Sequence, residues 1–263
     1  MTTWSPKGLE LFGHDLTVAL VAGCTCASVH IVAACLFAFV LPDGWWRKQP
    51  GFLAHRVVAI PLMVVLSWVG TPAFLRNLSR YDETTQWERV HGADDAGFLI
   101  AQIVLGSQVL WDIPATLLVP SLYSRLMLVH HVVLASLTPF IFLPYVSYYV
   151  PYYGGVMEIS SIPLTVYTTF RPSHYGELTK RFAWVALLDR VPASCARTDA
   201  AATPPVSTQS ETLSHLRITA GVAYLCSQVM GVLFALLFLV VREVGFPVVT
   251  LVYLLPGWRH SRA

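Results

Sequence analysis

Residues 16–41 read LTVALVAGCTCASVHIVAACLFAFVL, an apolar run that contains no formal charge. A helix that crosses the roughly 30 Å hydrocarbon core of a bilayer needs about 20 mostly apolar residues. This run is long enough to cross, and it is too long for the apolar region of a secretory signal peptide. It therefore predicts a first transmembrane helix that remains part of the protein.

Further apolar segments follow, and they predict an all-α polytopic membrane protein with a bundle of six or seven transmembrane helices. The six helices are expected at 16–41, 57–75 and 96–119, twice within 125–171, and at 218–241. Within 125–171, the turn-forming Pro151, Gly154 and Gly155 predict that the chain reverses there. A run at 244–258 is short and interrupted by prolines, so a seventh helix stays open.

The composition agrees with a membrane location and excludes several classes of protein. Of 263 residues, 55% are hydrophobic and only 12% are charged, and the mean hydropathy is +0.59. The net charge of +2 is too small for a protein that binds nucleic acid by neutralising phosphates. Four of the five cysteines lie inside apolar runs, so neither a disulfide framework nor a zinc ribbon is predicted. The expected partners are membrane lipids and not nucleic acid, and no protein partner is indicated.

The chain divides into a short N-terminal segment at 1–15, a transmembrane domain at 16–258 and a C-terminal tail at 259–263. Residues 171–215 include a stretch rich in Ala, Ser, Thr and Pro and predict a flexible cytoplasmic loop. The loops after the first, third and fifth helices carry ten Lys and Arg residues, against four on the opposite side. By the positive-inside rule, those three loops are cytoplasmic and the N-terminus is not.

One glycosylation sequon, Asn77-Leu78-Ser79, lies on the predicted non-cytoplasmic side. It begins two residues after the second predicted helix, where the bulky glycan-transferring enzyme would hardly reach it. The sequon is therefore expected to be a chance occurrence.

A few polar side chains interrupt the apolar helices. An ionisable side chain inside a bilayer costs a few kcal/mol on insertion scales, so it normally faces the bundle interior. On the third helix, the helical period places Gln108, Asp112 and Thr116 on one face. Counting residues from the next turn puts Asp112, His130 and His131 all about 12 Å into the bilayer from the same side. The sequence thus predicts a carboxylate–imidazole pair between two helices.

His130 and His131 are adjacent and about 100° apart on a helix, so only one of them can face the interior. His131 shares a face with Thr138 and is the better candidate, whereas Glu158 is expected roughly 8 to 14 Å away in depth. The predicted catalytic residues are Asp112, His130, His131 and Glu158, and the predicted substrate-binding residues are Gln108, Thr138 and Ser161.

A histidine backed by a carboxylate can act as a general base toward a hydroxyl or an amine, as in acyl transfer onto a lipid headgroup. The same polar groups can instead form interhelical hydrogen bonds that only hold the bundle together. This packing role is the one we favour for His30. The chain has no H-E-x-x-H, G-x-S-x-G or phosphate-loop motif, and its histidines do not form desaturase-like boxes. No metal site is predicted, and whether the protein is an enzyme stays open.

Several short motifs occur together in an order that resembles the TLC-domain family, which includes the ceramide synthases. They are Trp111-Asp112 on the third helix, His130-His131 on the fourth and Met157-Glu158-Ile159-Ser160-Ser161 on the fifth. His55-Arg56 at the start of the second helix and Leu216-Arg217 at the start of the sixth also resemble the family pattern. The resemblance covers roughly residues 47–241.

The resemblance implies a TLC-like fold and a role in membrane lipid homeostasis, involving sphingolipids or phospholipids, in the endoplasmic reticulum or another endomembrane. One alternative is a ceramide-synthase-like acyltransferase with a histidine general base and acyl-CoA as a candidate co-substrate; no cofactor is expected. The other is a non-catalytic lipid sensor or trafficking factor of the endoplasmic reticulum. Ceramide synthases of this family carry two aspartates where this chain has the single acid Glu158. This departure favours the second alternative, whereas the His-His pair and Asp112 favour the first.

Overall fold

The computed structural model describes residues 10–41, 45–143, 146–169 and 228–254. The predicted loop at 171–215, the tail at 259–263 and the first part of the sixth predicted helix lie outside the described residues. The described chain is mostly helical. Ahead of the first helix, strands β1 (Glu10–Leu11) and β2 (His14–Asp15) pair as a short antiparallel hairpin.

Long α-helices form most of the described structure, and several continue into π or 3₁₀ segments. The α-helices are α1 Thr17–Val40, α2 Trp45–Lys48, α3 Pro50–Ser79, α4 Gln86–His91, α5 Asp95–Ser107, α6 Ile113–Leu118, α7 Arg125–Leu137, α8 Glu158–Thr169, α9 at 228–237 and α10 Phe246–Val248. The π segments are Gln108–Asp112, Pro151–Val156, Phe238–Gly245 and Val249–Leu254, and the 3₁₀ segments are Thr138–Phe142 and Ser147–Tyr149.

Five helical stretches of the described residues are long and apolar enough to cross a membrane. They are Thr17–Val40, Pro50–Ser79, Gln86–Leu118, Arg125–Phe142 and Gln228–Leu251. Large apolar side chains such as Trp68, which is 80% exposed, cover their outer faces. This arrangement suits contact with lipid tails, since a soluble protein rarely exposes so much apolar surface. The prediction of an all-α membrane protein is confirmed at this level.

Glycines set the closest helix crossings. Gly106 of α5 packs against the backbone of Ala19 in α1, and Gly23 of α1 packs against the carbonyl of Gly106. Gly70 of α3 meets Gly155, and a Cβ added to either one would lie 2.5 Å from the other's Cα. Small residues at crossings allow helix backbones to approach closely in membranes. These contacts hold α1 against α5, and α3 against the segment that leads into α8.

The reversal between the fourth and fifth helical segments comes earlier than predicted. The backbone carbonyl of Tyr148 accepts a hydrogen bond from Asn77 near the end of α3, and Gly155 packs on Gly70 about two turns back along α3. The chain therefore already runs antiparallel to α3 from Tyr148 onward. The prediction of a turn at 151–155 is wrong because these residues form a π segment whose glycine serves a helix crossing.

The last described segment is one helix. Residues 228–254 continue through α9, a π segment, α10 and a second π segment without a break, so the described residues show no separate seventh helix at 244–254. Tyr152 donates a hydrogen bond of 2.6 Å to the carbonyl of Val241, and the hydroxyls of Tyr153 and Thr250 lie 2.8 Å apart. These side chains attach the last helix to the segment that precedes α8.

The two ends of the bundle carry different connections. One end holds residues 45–50 and 119–124, and we call it the Pro50 end. The opposite end holds residues 80–94 and 146–147, which are joined by a backbone hydrogen bond of 2.7 Å, and we call it the Asn77 end. The charge bias of the sequence predicts that the Pro50 end is cytoplasmic.

Candidate functional site

A π turn near the Pro50 end carries two buried site residues. Helix α5 passes through the π segment Gln108–Asp112 into α6, and Pro114 follows at the start of α6. Proline cannot donate the usual helical hydrogen bond, and a π turn places an extra residue in the helix. As a result, Trp111 and Asp112 both lie inside the bundle, with 3% and 7% of their surface exposed.

The Asp112 carboxylate lies between two histidines from two other helices. His55 Nε2 of α3 is 2.8 Å from Asp112 Oδ1 and forms an aligned hydrogen bond. His131 Nδ1 of α7 is 2.9 Å from Asp112 Oδ2, but this contact is not aligned as a straight hydrogen bond. We call His55, Asp112 and His131 the His–Asp–His cluster. It joins three of the long helical stretches through one carboxylate.

These contacts assign different roles to the ring nitrogens. The Nε2–H of His55 donates to Asp112, so its buried Nδ1, which has no hydrogen-bond partner, is left as an acceptor. His131 presents Nδ1 to the carboxylate, and its Nε2 is the nitrogen on the far side of the ring. A carboxylate in this position stabilises the protonated form of the imidazole. His131 is therefore placed to act as a general base whose protonated form the nearby carboxylate stabilises.

A second group of rings holds the cluster in place. Trp111 Nε1 donates a hydrogen bond of 2.8 Å to His30 Nδ1 of α1, and His30 also interacts with the backbone of Gly51. The Trp111 ring stacks on His55, with 4.7 Å between the ring centroids and 23° between the planes. His30 thus contacts the cluster through Trp111.

The structure separates the two adjacent histidines. His131 contacts Asp112 and keeps 13% of its side chain exposed, whereas His130 is an exposed residue. Their ring centroids are 5.6 Å apart. The helical period predicted that His131 would face the interior, and the structure places it there. His130, a predicted catalytic residue, lies outside the His–Asp–His cluster.

Glu158 belongs to a separate polar group. Arg242 of the last helix donates hydrogen bonds to Ser160 at 3.1 Å and to Ser161 at 2.9 Å. Glu158 interacts electrostatically with Arg242 and accepts a hydrogen bond from the Ser161 hydroxyl. Its interaction with His131 is electrostatic only. An arginine inside an apolar helix marks a functional site or a strong packing bond. The structure thus pairs the predicted residues Glu158 and Ser161 with an arginine.

The two remaining predicted substrate-binding residues differ in their surroundings. Gln108 lies at the start of the π turn, and its buried Oε1 has no hydrogen-bond partner. Thr138 is buried, and its hydroxyl donates to the carbonyl of Leu134 at 2.7 Å. A threonine that bonds one turn back along its own segment is locally satisfied. Gln108 therefore has an unused acceptor four residues before Asp112 in the chain, whereas the Thr138 hydroxyl is already bonded.

Sequence reasoning missed three contributors to these sites. His55 and Trp111 were noted as motif residues without a role in the site, and Arg242 lies just beyond the predicted end of the sixth helix at 241. A depth count could have found His55, since it lies five residues after Pro50 and thus about 8 Å along its helix. Asp112 lies at a similar depth from the end of α6. No comparable signal exists for Arg242, because its helix continues beyond the predicted end.

The described residues show no group of three His, Cys, Asp or Glu side chains that could hold a metal ion. The arrangement suits proton transfer, since a buried carboxylate lies against an imidazole whose far nitrogen can accept a proton. The comparisons with known proteins found no match: no family model, no curated protein and no solved structure matches this chain. The TLC-like motifs therefore remain a prediction.

Proposed function

We propose that this integral membrane protein acts in membrane lipid homeostasis, and that its His–Asp–His cluster catalyses acyl transfer onto a lipid amine or hydroxyl. The observation that supports this proposal most is the contact of Asp112 with His131 at 2.9 Å inside an apolar bundle. Burying a carboxylate and two imidazoles is a costly way to join helices. Such strongly interacting titratable groups are typical of active sites.

The proposed reaction uses one base and a thioester acyl donor. His131 Nε2 accepts the proton of the lipid N–H or O–H as that nitrogen or oxygen attacks the thioester carbonyl. The carbon–sulfur bond of the donor, acyl-CoA, then breaks, and the thiolate leaving group takes the proton from His131. Asp112 stabilises the imidazolium that exists between these two transfers. The products are an acylated lipid and a free thiol.

The surroundings of α7 suit a substrate that arrives from the bilayer. None of the residues of α7 is buried, and Val129, Val132 and Val133 are each more than 40% exposed. A lipid chain can lie along such an apolar surface, because it contacts only hydrocarbon there. His131 is on the same helix and keeps part of its side chain accessible. Lateral entry beside α7 is therefore part of the proposal.

The family, the compartment and the substrate class are part of the same proposal. We propose on its motifs that the chain belongs to the TLC-domain family, with six or seven crossings, residence in the endoplasmic reticulum or another endomembrane, and sphingolipids or phospholipids as substrates. A sixth crossing is supported by the helical residues 147–169, which run antiparallel to α3 over a length of about 35 Å. Acyl-CoA is the co-substrate in this scheme.

A second candidate function is a non-catalytic lipid sensor or trafficking factor, in which the polar groups only fix the helices. The contacts of Trp111 with His30 and His55 favour this second function, because they hold three helices together and need no substrate to do so. Interhelical hydrogen bonds in membranes contribute about 0.6 to 2 kcal/mol each. In that case, the cluster would affect stability alone.

The test compares the two adjacent histidines. Cells that lack the protein are rescued with wild type, His131→Gln or His130→Gln at matched expression, and their lipids are measured by untargeted mass spectrometry. We expect wild type to restore a lipid class that His131→Gln does not, with a much smaller loss for His130→Gln. Melting temperatures of the purified variants provide the control for folding.

Two outcomes would contradict the enzyme proposal. If His131→Gln restores the lipid class as well as wild type, the cluster has no catalytic role. If His131→Gln fails only in proportion to its loss in melting temperature, the cluster is structural and the second candidate is correct.

A further inference from the structure

Buried polar atoms without partners concentrate at the Pro50 end. In the part of the chain that the structure describes, seven buried side-chain nitrogen or oxygen atoms have no hydrogen-bond partner. Four of them belong to residues towards the Pro50 end: His55 Nδ1, Arg56 Nε, Gln108 Oε1 and Ser121 Oγ. A fifth, His131 Nδ1, lies 2.9 Å from the Asp112 carboxylate, and the other two are Arg89 Nε and Gln102 Oε1. Native proteins leave few buried polar groups unpaired, so each group calls for an explanation.

Arg56 is the charged member of this group. Its guanidinium carbon lies 4.7 Å from the centre of the Phe52 ring, which supplies a cation–π contact but no counter-charge. Asp112 attracts it electrostatically, yet no carboxylate of the described residues lies within ion-pair distance of Arg56. An arginine that simply reached into water would keep its Nε–H solvated. Here the Nε–H is buried and unused.

The position of Arg56 fits the depth of phosphate groups. It lies six residues after Pro50, about 9 Å along α3, and its side chain is long enough to reach back toward the headgroup region. Ser121 lies in the connection at the same end, and its buried hydroxyl also has no hydrogen-bond partner. Lys48 of α2 adds exposed positive charge beside this end. An anion would be attracted there before it contacts Arg56.

We propose that Arg56 and Ser121 bind a phosphate group of the molecule whose amine, hydroxyl or thioester reacts at His131. This inference rests on the proposed function, since it names the chemical class of the ligand at the same site. Arginine binds phosphate through paired N–H donors, and a hydroxyl can donate to a third oxygen. The phosphate belongs either to a membrane lipid headgroup or to the coenzyme A part of the acyl donor.

The experiment measures binding without turnover, using the full-length protein in nanodiscs. Wild type, Arg56→Gln, Arg56→Lys and Arg80→Gln are compared, because Arg80 is exposed at the opposite end. One arm replaces a tenth of the phosphatidylcholine with phosphatidic acid, and the other adds coenzyme A to phosphatidylcholine discs. Affinity is read from ligand-dependent shifts in melting temperature and from native mass spectrometry.

We expect wild type and Arg80→Gln to respond alike in at least one arm. Arg56→Gln should bind at least about tenfold more weakly, because a charge-assisted hydrogen bond is lost. Arg56→Lys should fall between them, since it keeps the charge but not the Nε–H, and it decides the matter if Arg56→Gln does not fold. A response to phosphatidic acid alone assigns the phosphate to a lipid, and a response to coenzyme A alone assigns it to the acyl donor.

The proposal is overturned if wild type responds in neither arm, or if Arg56→Gln and Arg56→Lys both bind like wild type. It is also overturned if Arg80→Gln weakens binding as much, because general surface charge would then be the cause. If phosphate binding depends on Arg56 but the protein turns over no lipid, only the enzyme proposal is refuted. If the protein turns over lipid but Arg56 has no role in phosphate binding, only this inference is refuted.

Discussion

The two ends of the bundle contain similar polar side chains but satisfy them in different ways. At the Asn77 end, the partners are mainly backbone groups: Asn77 Nδ2 donates to the carbonyl of Tyr148 at 3.0 Å, and Ser147 donates to the carbonyl of Gly92 at 2.6 Å. Arg89 donates to the carbonyl of Tyr81 at 2.6 Å and stacks on its ring, although its buried Nε has no hydrogen-bond partner. At the Pro50 end, side chains contact other side chains and several of their polar atoms remain unpaired.

This difference separates side chains that stabilise the fold from side chains that belong to a candidate functional site. A side chain that bonds to backbone groups of a neighbouring loop completes hydrogen bonds which the loop requires, so its role is to hold the fold. Side chains that bond to one another and retain unpaired atoms keep capacity for a ligand. We therefore expect substitutions at the Asn77 end to lower stability, and substitutions at the Pro50 end to lower activity.

The largest effect is expected for Asp112→Asn. The amide is nearly isosteric but cannot stabilise an imidazolium, so acyl transfer should fall by at least about 10²-fold, the scale of general acid–base contributions. Turnover is measured on purified protein in nanodiscs, with the melting temperature as a control. A variant that loses stability but retains its turnover per folded molecule would show that both ends of the bundle are structural.

Arg89→Gln should give the opposite result. Arg89 is 8% exposed, and the substitution removes a charged hydrogen bond and a cation–π contact. Together these contribute about 2 to 3 kcal/mol to the free energy of unfolding. Turnover per folded molecule should not change. Arg80→Gln is the matched control, since exposed substitutions usually stay within about 0.5 kcal/mol. If Arg89→Gln and Arg80→Gln lost equal amounts of stability, the expected difference between a buried and an exposed arginine would be wrong.

Thr85→Ala should have a smaller, local effect at the Asn77 end. Thr85 caps α4 by accepting from Glu88 N at 3.2 Å, while the Glu88 carboxylate accepts from Thr85 N at 2.7 Å. Loss of such a cap should speed backbone hydrogen exchange in α4 about fivefold. The exchange of α7, near the Pro50 end, should not change. Faster exchange in both helices would mean that the two ends are coupled.

The smallest effect is expected at Asp15, just before α1. Hydrogen bonds from the Thr17 hydroxyl at 2.6 Å and the Thr17 N–H at 2.9 Å hold the pKa of this carboxyl below its usual value. A lowered pKa stabilises the folded state above the ordinary pKa of an aspartate, and this stabilisation is lost as the pH falls through the folded-state value. The melting temperature of wild type should thus fall slightly more than that of Asp15→Asn between about pH 5 and pH 2. Identical pH profiles would contradict this.

The sequence predicted those features of the site that follow from the depth of each residue in the membrane. Asp112 and His131 were counted from the same turn, and the structure brings them into contact. Glu158 was placed by a turn at 151–155, and that turn was wrong because Gly155 packs on Gly70 within helical structure. A glycine inside an apolar run fits a turn and a close helix crossing equally well, and only the neighbouring helix decides between them.

The sequence by itself determined that this is an all-α membrane protein, because the length of an apolar run is a local property that the bilayer thickness selects. It also determined which polar residues lie at similar depths. Only the tertiary structure decided that His55 shares Asp112 with His131, that Trp111 stacks on His55 and that Arg242 bonds to Ser161. Such partners depend on helix rotation and crossing, and one π turn rotates every later residue by a large angle.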